Sequence, residues 1–600
     1  MAMLSFVVGR LLLLAGLMVA AWLAGRRWLR ALPFRGAAEA AVFSAALGLG
    51  LLSHALLLLG LLGLLRPVLL GLVPALALLL GWRDLCGAIL RLRSWRHDPV
   101  QQRHLRAGLV AALALVPLWL PTLLPPSGWD ALSYHLPLAR AHLLAQRIAP
   151  VQTLRFPVFP QLAELLYAAL LAAGGETAAQ QVPFVSTVLV AAALGLWGLQ
   201  ARSWPVGLAA ATLWLGSPLV AWLGTQAYVD STLALFVTLG TWAFFRFRQE
   251  QDERWLRLSA ALLGLAAATK YTGLFFAGLF GLWLLVDRRP GWPQRLLSFA
   301  LLAAGLAAPW YVFVAWHTGN PLFPFLGERL GRGPLSAEDL RGLMDDLRRA
   351  GRGRDLLALL RLPWDLALHQ GAFRAERALW PLPWLALPLL AVAAPGNLLL
   401  RRLLLVVSAY LLLWFTQAQQ LRYLVPIFGL LCLATALGLA PWVARLHRLH
   451  RAPAPLLGAV LLLPGWDEAL RPLRALGPPP ATPEARQAYL LRREPRYAPL
   501  LELNRRHGRA YRVYALYGED LIFWAEGTVV GDWFGPARYA RIEARLHDGE
   551  ALYQELRALG CDHFLLVTDR IRREPPADPA FARRFALLQA TPTARLYALR

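Results

Sequence analysis

One lysine stands among the 61 basic residues of this chain, alongside three cysteines and only 36 acidic residues in a length of 600. Each shortage excludes something. Cys86, Cys432 and Cys561 lie far apart, in a basic loop, an apolar run and the C-terminal region. That spacing offers neither a disulfide framework nor a metal-ligand set. The deficit of acid leaves a net charge of +25. A nucleic-acid-binding protein would gather its arginines on one soluble domain with interleaved aromatics. Here they fall largely in short loops between apolar runs: Arg26 to Arg35, Arg83 to Arg106, Arg246 to Arg257, Arg288 to Arg295, Arg401 and Arg402, and Arg445 to Arg451. Basic loops of this kind face the cytoplasm in a membrane protein.

What is present is apolar surface, 58% of the residues, with a mean hydropathy of +0.47. The apolar residues come in blocks close to the ~20 residues that a helix needs to cross about 30 Å of hydrocarbon. The pattern predicts a polytopic α-helical membrane protein with roughly 14 spans. These are 4–24, 37–62, 67–82, 107–124, 178–199, 206–223, 229–247, 255–270, 272–287, 296–315, 379–396, 402–417, 422–443 and 453–466. The first run is read as a retained helix with its N-terminus outside, because apart from Arg10 the nearby basic residues follow it. Two outer loops result, 125–177 and 317–378. In the first, 131–146 and 161–173 read as short amphipathic helices in the membrane interface. From about 467 the pattern becomes that of a small α/β domain, with strands at 511–517, 528–533 and 563–568 and a helix over 537–559 stopped by Gly560. Parity places it outside, with three regions in all: 1–106, 107–466 and 467–600.

The orientation rule leaves a few charges on the outer face unexplained. Pro125-Pro126-Ser127-Gly128-Trp129-Asp130-Ala131-Leu132-Ser133-Tyr134-His135 delivers a carboxylate, a phenol and an imidazole directly after a span. Asp130 either caps the helix that follows or acts as a base; Glu164 is a further carboxylate on the same surface. Asp230, at the mouth of a span, reads equally as an N-cap and as a functional acid. Lys270 is a snorkelling interfacial residue or a compact cation for a phosphate. Arg422 is a headgroup anchor or a planar fork for the same phosphate. Metal ligation by Asp130, His135 and Glu164 has no diagnostic spacing, so a divalent metal is not indicated.

In order along the chain, Asp130-x-x-Ser133-Tyr134-His135-Leu136-Pro137, Phe159-Pro160-Gln161, Ala227-Tyr228-Val229-Asp230, Thr269-Lys270-Tyr271-Thr272-Gly273, Gly319-Asn320-Pro321 and Arg422-Tyr423-x-x-Pro426 resemble bacterial membrane glycosyltransferases of the GT-C type. These are relatives of the lipid A aminoarabinose transferase and of protein O-mannosyltransferases. The resemblance spans about 107–600 and rests on the order of the motifs. It implies an inner-membrane enzyme with a polyprenyl-phosphate sugar donor. The acceptor is a lipid, glycan or protein on the extracytoplasmic face, and transfer usually inverts the anomeric centre. It further implies Asp130 and Asp230 as catalytic acids, with Lys270 and Arg422 on the lipid phosphate. Tyr134, His135, Glu164, Tyr228, Tyr271, Asn320 and Tyr423 would line the substrate site. Two features depart from the family. Trp129 and Ala131 flank Asp130 where many members pair two acids, which argues against a bound metal, and the three spans before 107 have no counterpart. A flippase or polymerase for lipid-linked sugars is the alternative; a transporter predicts repeat symmetry and midplane charges, and neither is present.

Overall fold

Leucine and alanine dominate the long runs, and the computed structural model folds them into helices. It describes residues 1–94, 98–154, 156–333, 335–450, 454–531, 542–571 and 579–600. In chain order the helices of the membrane region begin with α1 (Ala2–Leu29), α2 (Ala37–Leu61), α3 (Pro67–Leu80), α4 (Trp82–Ser94) and α5 (Pro99–Trp119). Then come α6 (Leu136–Ala145), α7 (Leu162–Ala179), α8 (Gln181–Ala201), α9 (Trp204–Leu215), α10 (Pro218–Leu223), α11 (Asp230–Glu250), α12 (Glu253–Thr269), α13 (Gly273–Asp287) and α14 (Trp292–Thr318). The loop 317–378 holds α15 (Gly327–Leu330), α16 (Ala337–Arg348) and α17 (Leu356–Leu368), and α18 (Pro381–Ala393), α19 (Leu398–Thr416), α20 (Val425–His450) and α21 (Ala454–Leu476) complete the region.

Among the described residues eight helices are long and apolar enough to cross a membrane, or nine if the pair α3 and α4, bent by 61°, is one span. Of the remaining segments expected as spans, α11 and α21 are long enough but less apolar, and the others are shorter or interrupted. Gly216 and Ser217 divide the run 206–223 into α9 and α10, and α13 and α18 are single short apolar helices. Helix α7 passes the length criterion, yet its backbone leaves helical geometry at Gly174 and Gly175. Its straight portion, 162–173, is therefore only ~18 Å long at 1.5 Å per residue, close to the short segment read from the sequence.

Two features fix the vertical axis of the molecule. Helix α11 is buried from Asp230 through Phe247, and its 21 residues are about 31 Å long. One end carries Asp230; the other carries Arg246 and Arg248, where the basic loops converge. Arg246 bonds Glu39 at 2.7 Å, Arg30 bonds Asp84 at 2.6 Å, and Arg295 bonds Glu253 at 2.6 Å. Arg248 pairs with Asp287 at the same face. Loops far apart in sequence are thus one basic surface, a helix length from Asp230. At the N-terminal edge α1 and α2 pack backbone to backbone, since a Cβ on Gly48 would sit 1.7 Å from the Ala21 carbonyl oxygen. Small residues at such contacts are how helices gain packing in lipid.

Beyond α21, helices α22 (Pro483–Arg493) and α23 (Tyr497–His507) lead into a mixed sheet of β1 (Arg512–Leu516), β2 (Thr528–Val530), β3 (His563–Val567), β4 (Phe585–Ala590) and β5 (Ala594–Leu599). The order is β2-β1-β3-β5-β4, with β1 parallel to β2 and β3 and the other pairs antiparallel. The hairpin β4-β5 was not expected. In the helix anticipated over 537–559, residues 537–541 lie outside the described residues, as do 532 and 533 of the second strand. Of the described part only α24 (Gly549–Ala558) is a full helix: 544–547 are turns, and Asp548 starts α24 by accepting the Ala551 N–H at 3.0 Å. Gly560 stops the segment with a φ of +71°, as anticipated. The short α25 (Pro579–Arg584) runs directly into β4.

Candidate active site

The prolines after Leu124 end the helix, and the chain is then pinned by a distant residue. Gln226 Oε1 accepts the backbone N–H groups of Ser127 (2.9 Å) and Gly128 (2.8 Å). Gly128 must be glycine, since a Cβ there would lie 2.4 Å from the Tyr228 ring. The Asp130 N–H donates to the Tyr228 hydroxyl at 3.0 Å, and the Tyr167 hydroxyl donates to the Tyr228 carbonyl at 2.6 Å. These bonds fix Asp130 before its side chain makes any contact. The next five residues, Ala131–His135, form a single π-helical turn. Such turns recur at functional sites because one extra residue re-aims the side chains.

The carboxylate of Asp130 is not a cap: no side-chain capping bond forms there. It accepts instead from the Tyr134 hydroxyl and from the Arg422 guanidinium, the latter at 2.7 Å. Burial pushes this carboxyl up, but Arg422, His135, Tyr134 and Lys270 outweigh it and hold it below the ordinary carboxylate range. Asp130 is therefore an anion. Arg422 also reaches Glu376 at 3.3 Å and lies over the rings of Tyr228 (5.0 Å) and Tyr423 (5.5 Å). Burial raises the Glu376 carboxyl despite that neighbour. Burial and the adjacent Asp130 keep the phenols of Tyr134 and Tyr228 well above their usual value, so both are hydrogen-bonding groups and not phenolates.

A second pair stands beside the first. Lys270, in the short link between α12 and α13, contacts Asp230 at 2.8 Å and lies 4.4 Å from the centre of the Tyr423 ring. Asp230 is the first residue of α11 and makes no side-chain cap. Tyr423 thus has both cations against its ring, Lys270 at 4.4 Å and Arg422 at 5.5 Å. His135 pairs with Glu164 at 2.6 Å and packs against Tyr134 with the rings 4.3 Å apart and tilted by 49°, so it supports the phenol from behind.

Seven expected residues, Asp130, Asp230, Tyr134, Tyr228, Lys270, Arg422 and Tyr423, form one cluster with His135 and Glu164 directly behind it. Two stand apart. Asn320 spends its amide on the Phe325 and Gly331 carbonyls and the Leu322 N–H, and Tyr271 donates to the Phe323 carbonyl at 2.7 Å. Asn320 holds the loop 317–378 in its own turn, and Tyr271 ties that loop to the α12–α13 link. Sequence reasoning missed Glu376, Gln226 and Tyr167. Glu376 carried a signal, being an acid in a loop read as outer; Gln226 lies directly before a motif already singled out. Among the described residues no group of three or more histidine, cysteine or acidic side chains could hold a metal ion.

Residues 157–316 match the dolichyl-phosphate-mannose-protein mannosyltransferase family, and residues 485–598 match a family described as SF2091/S2213. An uncharacterized protein of Shigella flexneri, SF2093/S2215, is 38% identical over 130 residues. That match covers 21% of this chain and 65% of the relative, so it spans a little less than two thirds of the curated protein. The fold is shared with ArnT from Cupriavidus metallidurans in the apo state (TM-score 0.54, 17% identity, 83% of this chain and 98% of that one). ArnT bound to undecaprenyl phosphate gives 0.52 at 16% identity, over 82% and 97% of the two chains. An Archaeoglobus fulgidus oligosaccharyltransferase with zinc and sulfate gives 0.50 at 14%, over 78% and 69%. The chain thus has the fold of these proteins, and inside that fold a segment that matches a mannosyltransferase family.

Proposed function

We propose that the chain transfers a sugar from a polyprenyl-phosphate carrier to a hydroxyl-bearing acceptor on the extracytoplasmic face. The observation that carries this reading is the pair of cations on Tyr423 with an ionised aspartate alongside. Arg422 is buried, and its Nε has no hydrogen-bond partner among the described residues. The side chains of Lys270 and Glu376 are 24% and 35% exposed, partly buried but reachable, so the cluster opens outward. A lipid phosphate entering there would exchange carboxylate partners for its own oxygens. Fixed cations help most where charge grows, and here that is the departing phosphate.

The reaction then runs as one displacement. The acceptor oxygen attacks the anomeric carbon while its proton passes to Asp130. The bond from that carbon to the phosphate oxygen breaks, and the electron pair leaves with the phosphate toward Lys270 and Arg422. Once Arg422 turns to the phosphate, Asp130 loses the neighbour that depresses its proton affinity. Donor binding thereby strengthens the base. Asp230 keeps Lys270 in place and orients hydroxyls.

Replacing the base tests this. Asp130→Asn should fold and lose roughly 10² to 10⁴ in transfer rate, the usual contribution of a positioned base. Mass spectrometry of co-purified lipids should show a polyprenyl-phosphate sugar enriched in the variant. Near-normal transfer would remove Asp130 from the mechanism. Equal occupancy of both proteins by a lipid-linked oligosaccharide, with turnover in neither, would favour a transporter. Lys270→Ala should weaken polyprenyl-phosphate binding about tenfold, the loss of one charge-assisted contact; unchanged affinity would return Lys270 to a snorkelling role.

A further inference from the structure

Helix α1 is apolar over nearly its whole length but carries Arg10 a few turns from its start. A charged side chain in such a helix is costly unless it has a partner or a task. Arg10 Nε donates to Thr177 Oγ1 at 2.7 Å, and its guanidinium lies against Gly174, where a Cβ would come 2.7 Å from Nη1 and 2.6 Å from Leu13. The break in α7 at Gly174 and Gly175 is therefore where Arg10 and Leu13 settle on that helix.

Two cavities meet along α1 at this point. Above, a recess of about 410 Å³ is lined by Phe6, Arg10, Thr482, Arg486 and Tyr497. Arg486 pairs with Glu176 at 2.6 Å, so two guanidiniums face one carboxylate and the recess is net positive. Below, within ~5 to 10 Å along the helix at 1.5 Å per residue, lies a groove of about 400 Å³ between α1, α2, α3 and α7. Every residue lining it is apolar, from Leu13 and Leu17 to Leu56, Leu70, Leu166 and Leu170. Leu12 is 67% exposed at its mouth, whereas Leu17, Leu52, Leu56 and Leu166 close its floor. Gly16 and Gly71 leave it open, since a Cβ on either meets nothing within 4 Å. On α7, Leu166, Ala169, Leu170 and Ala173 face this groove, while Glu164 and Tyr167 reach the catalytic cluster from the opposite side. The helix separates the two sites.

We infer that the N-terminal helices and α7 form a binding site for an anionic phospholipid, distinct from the sugar-donor site. Its phosphate sits against Arg10 and Arg486, and one acyl chain lies in the α1/α2/α3/α7 groove. The polar and apolar halves match a single amphiphile in size, order and charge. This gives the extra N-terminal spans a task independent of the sugar-transfer reading.

The test uses the full chain, delipidated in detergent, with thermal unfolding followed after adding phosphatidylglycerol, phosphatidylcholine or inorganic phosphate. Phosphatidylglycerol should raise the midpoint more than phosphatidylcholine, and inorganic phosphate should leave it unchanged. Arg10→Gln should weaken the phosphatidylglycerol response about tenfold in concentration, the worth of one charge-assisted contact. Gly71→Phe, which fills the groove, should abolish the response and the co-purified anionic lipid seen by native mass spectrometry. Gly16→Leu, at an equally open position, should weaken both in the same direction and guards against misfolding of the first variant. Equal responses to the two lipids, a full response in both glycine variants, or the same shift with inorganic phosphate would each overturn the assignment.

Discussion

Arg422 shares two carboxylates of opposite tendency, and that difference is measurable. Asp130 is held below the ordinary carboxylate range by its cation, while burial holds Glu376 above it. As pH falls, Glu376 takes its proton first. A depressed carboxylate contributes stability that is full above its unfolded value, near 3.8, and is lost only as pH falls through its lower native value. A raised one has the opposite sign: its contribution is full below the unfolded value, near 4.5, and is lost as pH rises through the native value. Glu376→Gln should therefore shift the acid limb of the pH–rate profile to lower pH and flatten the fall in stability above pH 4.5. An unmoved acid limb would show that Glu376 does not control Arg422. Removing Arg422 itself is harsher. Arg422→Ala leaves Asp130 buried without its cation and should cost about 3 to 5 kcal/mol, read as a lowered unfolding midpoint. At this scale much was visible in the sequence, because outer-face charges are conspicuous once basic loops are assigned inward. Glu376 was hidden by its setting, between Arg374 and Arg377, where an acid looks like a loop salt bridge.

At the scale of elements, the C-terminal domain reaches the site by one turn. Residues Glu519–Trp524 form a 3-10 turn that packs on the π-helical turn carrying Tyr134 and His135. Arg140, at the outer part of α6, donates to the Phe523 carbonyl at 2.7 Å and the Ile522 carbonyl at 3.2 Å, with its guanidinium over the Phe523 ring. Nothing local in either segment announces this contact, since its partners are nearly 400 residues apart. The same holds for β4 and β5, whose pairing is set by the sheet and not by alternation along the strand. The contact predicts a positioning role. Arg140→Ala should weaken docking of the turn by about 2 kcal/mol, the value of a charge-assisted bond. Amide exchange should then speed up at 519–524 and 131–135, with kcat falling more than KM rises. Unchanged exchange at 131–135 would mean that the domain merely sits above the site.

The whole molecule has a polarity that the sequence implied and the ion pairs make concrete. Basic loops from α1–α2, α3–α4, α11–α12 and α13–α14 meet at one face, and Asp130, Asp230, Lys270 and Arg422 meet about 31 Å away at the other end of α11. What the sequence did not convey was which helices cross and which are broken, because Gly174–Gly175 and Gly216–Ser217 interrupt runs whose hydropathy is continuous. If the basic face is cytoplasmic, as loops rich in arginine require, the site and the C-terminal domain docked on it are both outside, where polyprenyl-phosphate sugars are used in the proposed reaction. Single-cysteine labelling checks this. On a background with Cys86→Ser, the exposed positions Leu587→Cys and Arg257→Cys report the C-terminal domain and the basic face. Cys432 and Cys561 are buried and should stay silent. A membrane-impermeant maleimide should modify Leu587→Cys in intact spheroplasts and Arg257→Cys only after lysis. The reverse pattern would turn the cluster of Lys270 and Arg422 toward the cytoplasm, and the donor would then have to be a carrier or nucleotide sugar presented from inside.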